Sequence, residues 1–238
     1  MLKPRAAVGS LDQGQFAGRV DKHIGVKQLQ VVDDPTQTQW KSPAGVSAPL
    51  IGAYPVDDEG VRPKRVSLVE DGVLKTLLMR RNPTPKVALT NGHARGSSTG
   101  PGNLFVASST PLTLAQLKAK LLEVAQEEDL PYGLIVRQLS RTDRGSPSSV
   151  SLPSPMLVYR LYPDGHEELA RGLVFKPASF RVLKDIAGMG DDPALHNTEF
   201  VGQSVSVVAP SVLIRTLELV KSGDDSKPAV LPRPKLKP

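Results

Sequence analysis

The chain has 238 residues, 39% hydrophobic and 23% charged, enough apolar material for a folded domain with a buried core. It has no cysteine, hence no disulfide and no thiolate metal site, no apolar run near the about 18 residues of a membrane helix, and no apolar signal segment after Met1. The net charge of +6 is concentrated in Lys75, Arg80, Arg81, Lys86 and Arg95 and in the tail from Lys221; with only 4% aromatic residues to act as stacking platforms, a solvated face is expected rather than a nucleic-acid surface, in a cytoplasmic protein.

Residues 1–20 carry no clear helix cap. Apolar alternation over Val26–Val32 predicts a strand, ended by the turn Asp33-Asp34-Pro35, where Pro35 drives Asp34 out of the α region. Thr36–Pro49 reads as a polar loop anchored by Trp40. Tyr54–Val61 sets Asp57, Asp58 and Glu59 against Gly60 as an acidic turn. Asp71-Gly72 separates two β-prone runs, Arg65–Glu70 and Val73–Met79. That pair predicts a type I′ hairpin, which needs positive φ at both central residues.

Asn82–Gly102 is a long loop rich in Asn, Gly, Ser, Thr and Pro, a length more typical of functional or disordered segments, and its side chains are expected to bury little. Leu104–Ala107 restarts a strand. Thr113 can cap a helix and Gln116, three residues on, completes a capping box. Leu114, Leu117, Leu121, Leu122 and Ala125 follow at helical spacing, with a stop near Asp129 before Pro131. Strands are predicted at Leu134–Leu139 and Met156–Leu161, separated by a Ser/Pro/Gly-rich flexible insertion, 141–155.

Pro163-Asp164-Gly165 is a turn that returns His166–Phe175 as the partner strand. Phe180, Leu183, Ile186 and Ala187 predict a second helix over Ala178–Gly188. Gln203–Ala209 and Val212–Val220 are strands broken at Pro210, and 221–238 is a Pro- and Lys-rich extended tail. The expected architecture is α+β: a mainly antiparallel curved sheet or open β-barrel with two helices packed on it, filling 1–220.

The acidic Asp57-Asp58-Glu59-Gly60 turn followed by a hairpin with tip Glu70-Asp71-Gly72-Val73-Leu74-Lys75 resembles the C-terminal domain of the TldD/PmbA metallopeptidases, also called modulators of DNA gyrase. The similarity continues in order through Arg80-Arg81, Asn91-Gly92-His93-Ala94-Arg95-Gly96, Asn103-Leu104-Phe105-Val106 and Val207–Leu213. The resemblance implies an antiparallel fold and a role in proteolysis or peptide maturation. It implies a zinc peptidase in active members, with two histidines from an HExxxH helix before this segment and a cysteine near the C-terminal strands.

This sequence has neither HExxxH nor cysteine. Its histidines, His23, His93, His166 and His196, are dispersed, and His196 falls near the family's cysteine position, where a lone surface loop histidine is expected. No catalytic or metal residue is therefore assigned, and no cofactor is expected in this chain. It is either a half whose metal helix lies upstream or a metal-free, non-catalytic partner subunit. Asn91, Gly92, His93, Arg95 and Asn103 are the candidate substrate-binding residues, because a His and an Arg on a glycine-bearing loop can meet a peptide carboxylate or carbonyl. Asp57, Asp58 and Glu59 are secondary candidates. With Asp33-Asp34 they read as a hard-cation site or as plain turn chemistry. The expected partners are a flexible or unfolded peptide and a family member in a homo- or heterodimer. The alternative is a non-enzymatic binding module whose basic face meets nucleic acid or an acidic protein.

Overall fold

The alternation of apolar residues from Leu29 is cashed in as strand β1 (Leu29–Asp33), which buries Leu29, Val31 and Asp33 on one face. A computed structural model describes residues 16–82, 87–140, 152–200 and 202–221. The segment around Trp40 forms a small hairpin of β2 (Gln39–Lys41) and β3 (Ser47–Pro49), with Trp40 half-buried within it. Strands β4 (Val66–Glu70) and β5 (Val73–Leu74) meet at Asp71 (φ 49°) and Gly72 (φ 73°), the positive angles the Asp-Gly pair predicts. The second arm pairs over only two residues. Leu77, Leu78 and Met79 leave the ladder but remain buried in the core.

Within the long loop lies a two-residue hairpin, β6 (Ala94–Arg95) with β7 (Ser98–Thr99), and β8 (Asn103–Ser108) follows. Helix α1 (Leu114–Glu127) starts at the expected capping box. Thr113 Oγ1 accepts from the Gln116 amide at 3.3 Å, and Gln116 Oε1 accepts from the Thr113 amide at 2.8 Å. Leu117, Val124 and Ala125 form its buried stripe.

Strands β9 (Gly133–Leu139), β10 (Pro155–Leu161) and β11 (Glu167–Ala170) make a three-stranded antiparallel sheet. Most of the predicted insertion, 141–151, lies outside the described residues, as does the tail beyond 221. The remaining strands are β12 (Leu173–Phe175), β13 (Ile186–Met189), β14 (Ala194–Phe200), β15 (Gln203–Ala209), β16 (Val212–Ile214) and β17 (Leu219–Lys221). The expected single strand over Val212–Val220 is thus two short ones, pairing with β13 and β12 respectively.

The second expected helix is not formed. Ser179 caps a 3-10 turn of five residues, Phe180–Lys184, and Ile186–Met189 then pairs with β16. Apolar residues three apart suit a 3-10 turn as well as a helix. Strand pairing claims Ile186, and Gly188 is pressed against Leu112 and Leu117, where a Cβ would lie 3.0–3.1 Å from their side chains. α1 is therefore the one α-helix among the described residues.

A six-stranded sheet ordered β14-β15-β8-β1-β4-β5 dominates the molecule. It is antiparallel except for β8 beside β15. The sheets stay open rather than closing into a barrel. Leu68, Leu74, Met79, Leu104, Met189 and Val205 fill the core under this sheet, joined by Phe16 and Phe180 edge to face at 4.8 Å.

Candidate functional site

β1 runs through the middle of the main sheet, so its inward-facing positions are fully enclosed. The third of them is charged: Asp33 has no exposed surface. A buried carboxyl needs partners. Asp33 Oδ2 lies 2.8 Å from His93 Nε2 and accepts from the Gly102 amide at 3.1 Å. His93 is equally buried. Asp33 Oδ1 meets no hydrogen-bond partner among the described residues. Burial pushes the Asp33 carboxyl above its ordinary range, against the opposing hydrogen bond and charge of His93.

The histidine ring is oriented from its other side. Nδ1 sits 3.0 Å from the Asn91 carbonyl and 2.9 Å from Asn91 Oδ1. The Asn91 amide is itself fixed, because Oδ1 accepts from the Met79 amide at 2.7 Å and Nδ2 donates to the Leu77 carbonyl at 2.8 Å. Nδ1 therefore faces two acceptors and carries a hydrogen, which leaves Nε2 to share its proton with Asp33.

Gly92 (φ +76°) packs so tightly against Arg62 and Pro63 that a Cβ would lie 2.5 Å from the Arg62 carbonyl oxygen. Its own carbonyl accepts from the Tyr54 hydroxyl at 3.0 Å. Burial pushes the Tyr54 phenol up, so it stays a neutral donor. The Tyr54 ring carries the Arg95 guanidinium at 4.7 Å from its centroid. Arg95 Nε donates to Gln203 Oε1 at 3.3 Å and Nη2 to the Ser204 carbonyl at 2.7 Å, tying the loop to β15.

The acidic turn holds the same loop from below. Asp57 is buried. Its Oδ1 accepts from the Glu59 and Val61 amides at 3.0 and 2.8 Å, and its Oδ2 accepts from the Ala94 amide at 3.0 Å. Asp58 Oδ2 accepts from the Gly96 amide. Glu59 binds Arg80 at 2.7 Å and the Arg81 amide at 2.8 Å. The Arg81 amide and the Arg80 side chain hold the Glu59 carboxyl below its ordinary range. Asn103, fully buried, donates from Nδ2 to the Asp34 and Gln37 carbonyls at 3.0 and 2.7 Å.

All eight sequence-selected positions thus contribute to one bonded region around residues 91–103. The expectation that loop side chains bury little is corrected: His93 has no exposed surface, and Arg95 is half-buried. Tyr54 and Gln203 were not singled out, and Asp33 was weighed only in a cation site or a turn, although all three organise this loop. For Asp33 a signal exists in the sequence, since it continues the Leu29, Val31 parity of a buried strand face with a charged residue.

The residues do not fit a histidine–cysteine zinc site. Both ring nitrogens of His93 are engaged, His166 pairs with Asp164 on an exposed turn, and His23 is exposed at an isolated bridge. His196 is half-buried in strand β14 rather than in a loop. Asp33-Asp34 and Asp57-Asp58-Glu59 are taken up in turn and histidine contacts. No group of three or more His, Asp or Glu able to hold a metal occurs among the described residues.

A family model, the PmbA/TldA metallopeptidase C-terminal domain, matches residues 10–221. The chain belongs to that family. Among curated relatives, a metalloprotease of Archaeoglobus fulgidus is 36% identical over 78 residues, 33% of this chain and 16% of that protein. Two solved structures share the fold of this PmbA/TldA domain. One is a proposed modulator of a DNA gyrase from Thermotoga maritima, with TM-score 0.61, 19% identity, and coverage of 87% of this chain and 42% of that one. The other is TldE from Thermococcus kodakarensis, with TM-score 0.60, 16% identity, and coverage of 90% and 46%. The chain spans less than half the length of the relatives it matches.

Proposed function

We propose that this PmbA/TldA domain is a non-catalytic, peptide-handling half of a metallopeptidase-type assembly, paired with a family member in the cytoplasm. The carrying observation is that the family domain spans residues 10–221 and contains no cysteine, the ligand that the resemblance places near its C-terminal strands. Residues 91–103 form the peptide-facing element in this reading. Asn91, Gly92, His93 and Asn103 fix its backbone, and Arg95 stands at its rim. Asp57, Asp58 and Glu59 hold it against the hairpin. Backbone amides and carbonyls on a braced loop can accept a flexible chain without reading its sequence.

The nucleic-acid alternative loses part of its basic face. Arg80 is paired with Glu59. Fluorescence anisotropy with labelled casein, repeated over a salt series, separates the two. Peptide docking gives saturable binding that falls little with salt, whereas phosphate binding falls steeply. Absence of casein binding together with salt-sensitive capture of a single-stranded oligonucleotide overturns the proposal.

A further inference from the structure

The arginine at the rim of this loop is held in an unusual way. A guanidinium offers two hydrogen-bonding edges, one formed by Nε and Nη2, the other by Nη1 and Nη2. In Arg95 the first edge is spent on neutral acceptors, Gln203 Oε1 and the Ser204 carbonyl. One face of the cation lies on the Tyr54 ring, which is itself anchored through its hydroxyl to Gly92. The stem is packed from the far side of the hairpin, where a Cβ at Gly100 would lie 3.3 Å from Arg95 Cγ.

The second edge, Nη1 with the remaining Nη2 hydrogen, meets no acceptor among the described residues, and no carboxylate of those residues pairs with Arg95. The nearby acids are engaged elsewhere. Asp57 accepts from three amides, Asp58 from the Gly96 amide, and Asp33 Oδ2 accepts from the Gly102 amide and lies 2.8 Å from His93 Nε2. Arg95 keeps part of its surface exposed.

The geometry points to Arg95 as a carboxylate seat, in which the open Nη1–Nη2 edge takes a peptide carboxylate through two parallel hydrogen bonds. This rests on the peptide-handling reading and adds a substrate class to it: peptides with a free C-terminus or an acidic side chain at the docked position. Roles within the loop then divide. Arg95 touches the ligand, Tyr54 and Gln203 position Arg95, and the buried Asp33–His93 pair holds the loop without reaching the ligand. The fit is bidentate and planar, so lysine cannot replace arginine here.

The test uses three fluorescein-labelled disordered peptides of otherwise equal Gly/Ser/Ala/Val composition. The first has a free C-terminus and no acidic residue. The second is amidated with one internal Glu, and the third is amidated with none. Each is titrated against wild type, Arg95→Gln and Arg137→Gln. Wild type should bind the first peptide, the second, or both about tenfold tighter than the third, as expected of a charge-assisted bidentate contact. Which of them gains identifies a terminal or a side-chain carboxylate. That preference should vanish in Arg95→Gln and survive in Arg137→Gln, which removes an arginine of β9 paired with Glu167. The preference is a ratio within one variant, so a partly unfolded preparation does not mimic its loss. Equal binding of all three by wild type, or an unchanged preference in Arg95→Gln, overturns the carboxylate seat while leaving peptide handling intact. No binding of any of the three overturns both.

Discussion

Asp33 and His93, sixty residues apart in sequence, meet at 2.8 Å with both side chains fully buried. Asp33 ends the inward face of a central strand, and His93 leads into the β6–β7 hairpin. The contact joins the middle of the main sheet to the loop on which the proposed function depends. Removing His93 leaves the buried Asp33 carboxyl with only the Gly102 amide.

His93→Ala should therefore destabilise the fold by about 3–5 kcal/mol near neutral pH. The sign of the pH dependence follows from Asp33. Its carboxyl is already raised in the folded state, so its favourable contribution is fully present below the ordinary carboxylate range and is lost as pH rises through the folded value. Without His93, whose hydrogen bond and charge lower that value, the carboxyl rises further. Urea unfolding of both proteins over a pH series should show a deficit that shrinks on acidification. A small deficit that is constant with pH contradicts the pair's role.

Gly72 combines a left-handed conformation with close backbone contact. A Cβ there would lie 2.4 Å from the Val26 carbonyl oxygen and 2.6 Å from that of Gly25. Gly72→Val should lose more than the about 1–2 kcal/mol of the left-handed penalty alone, because backbone has to move as well. A melting temperature within a degree or so of wild type would contradict the hairpin geometry.

Asp57 serves three backbone amides, those of Glu59, Val61 and Ala94. Asp57→Ala should destabilise by about 1–3 kcal/mol for each amide left without a partner. Hydrogen exchange should speed at Ala94 as well as within the acidic turn. Faster exchange confined to Glu59 and Val61 would mean that Asp57 is only a local turn residue.

Thr113 and Gln116 close the reciprocal cap of α1. Thr113→Ala should lower stability by about 1 kcal/mol, read by urea unfolding with an unchanged slope.

These sites differ in how far they could be read from sequence, and the reason is range. The Asp71-Gly72 turn and the Thr113–Gln116 box are local chemistry, and both appear at the predicted positions. Phe180, Leu183 and Ile186 misled because three-residue spacing also fits a 3-10 turn, and only pairing with β16 decides against a helix. The loop from Asn91 was legible as special through its glycine and histidine. Its burial was not, since that depends on Asp33, Asp57 and Tyr54 arriving from distant segments. Asp33 was legible as a turn residue or as part of a cation site, although its parity with Leu29 and Val31 marks the buried face.

The central claim is that this domain handles peptides without a zinc site of its own. Calorimetric titration of a disordered peptide into the purified chain, once in chelator and once in added zinc, tests it most directly. The account predicts the same saturable affinity in both and peptide recovered intact. Binding that is lost in chelator, or peptide cleaved when zinc is added, would contradict it.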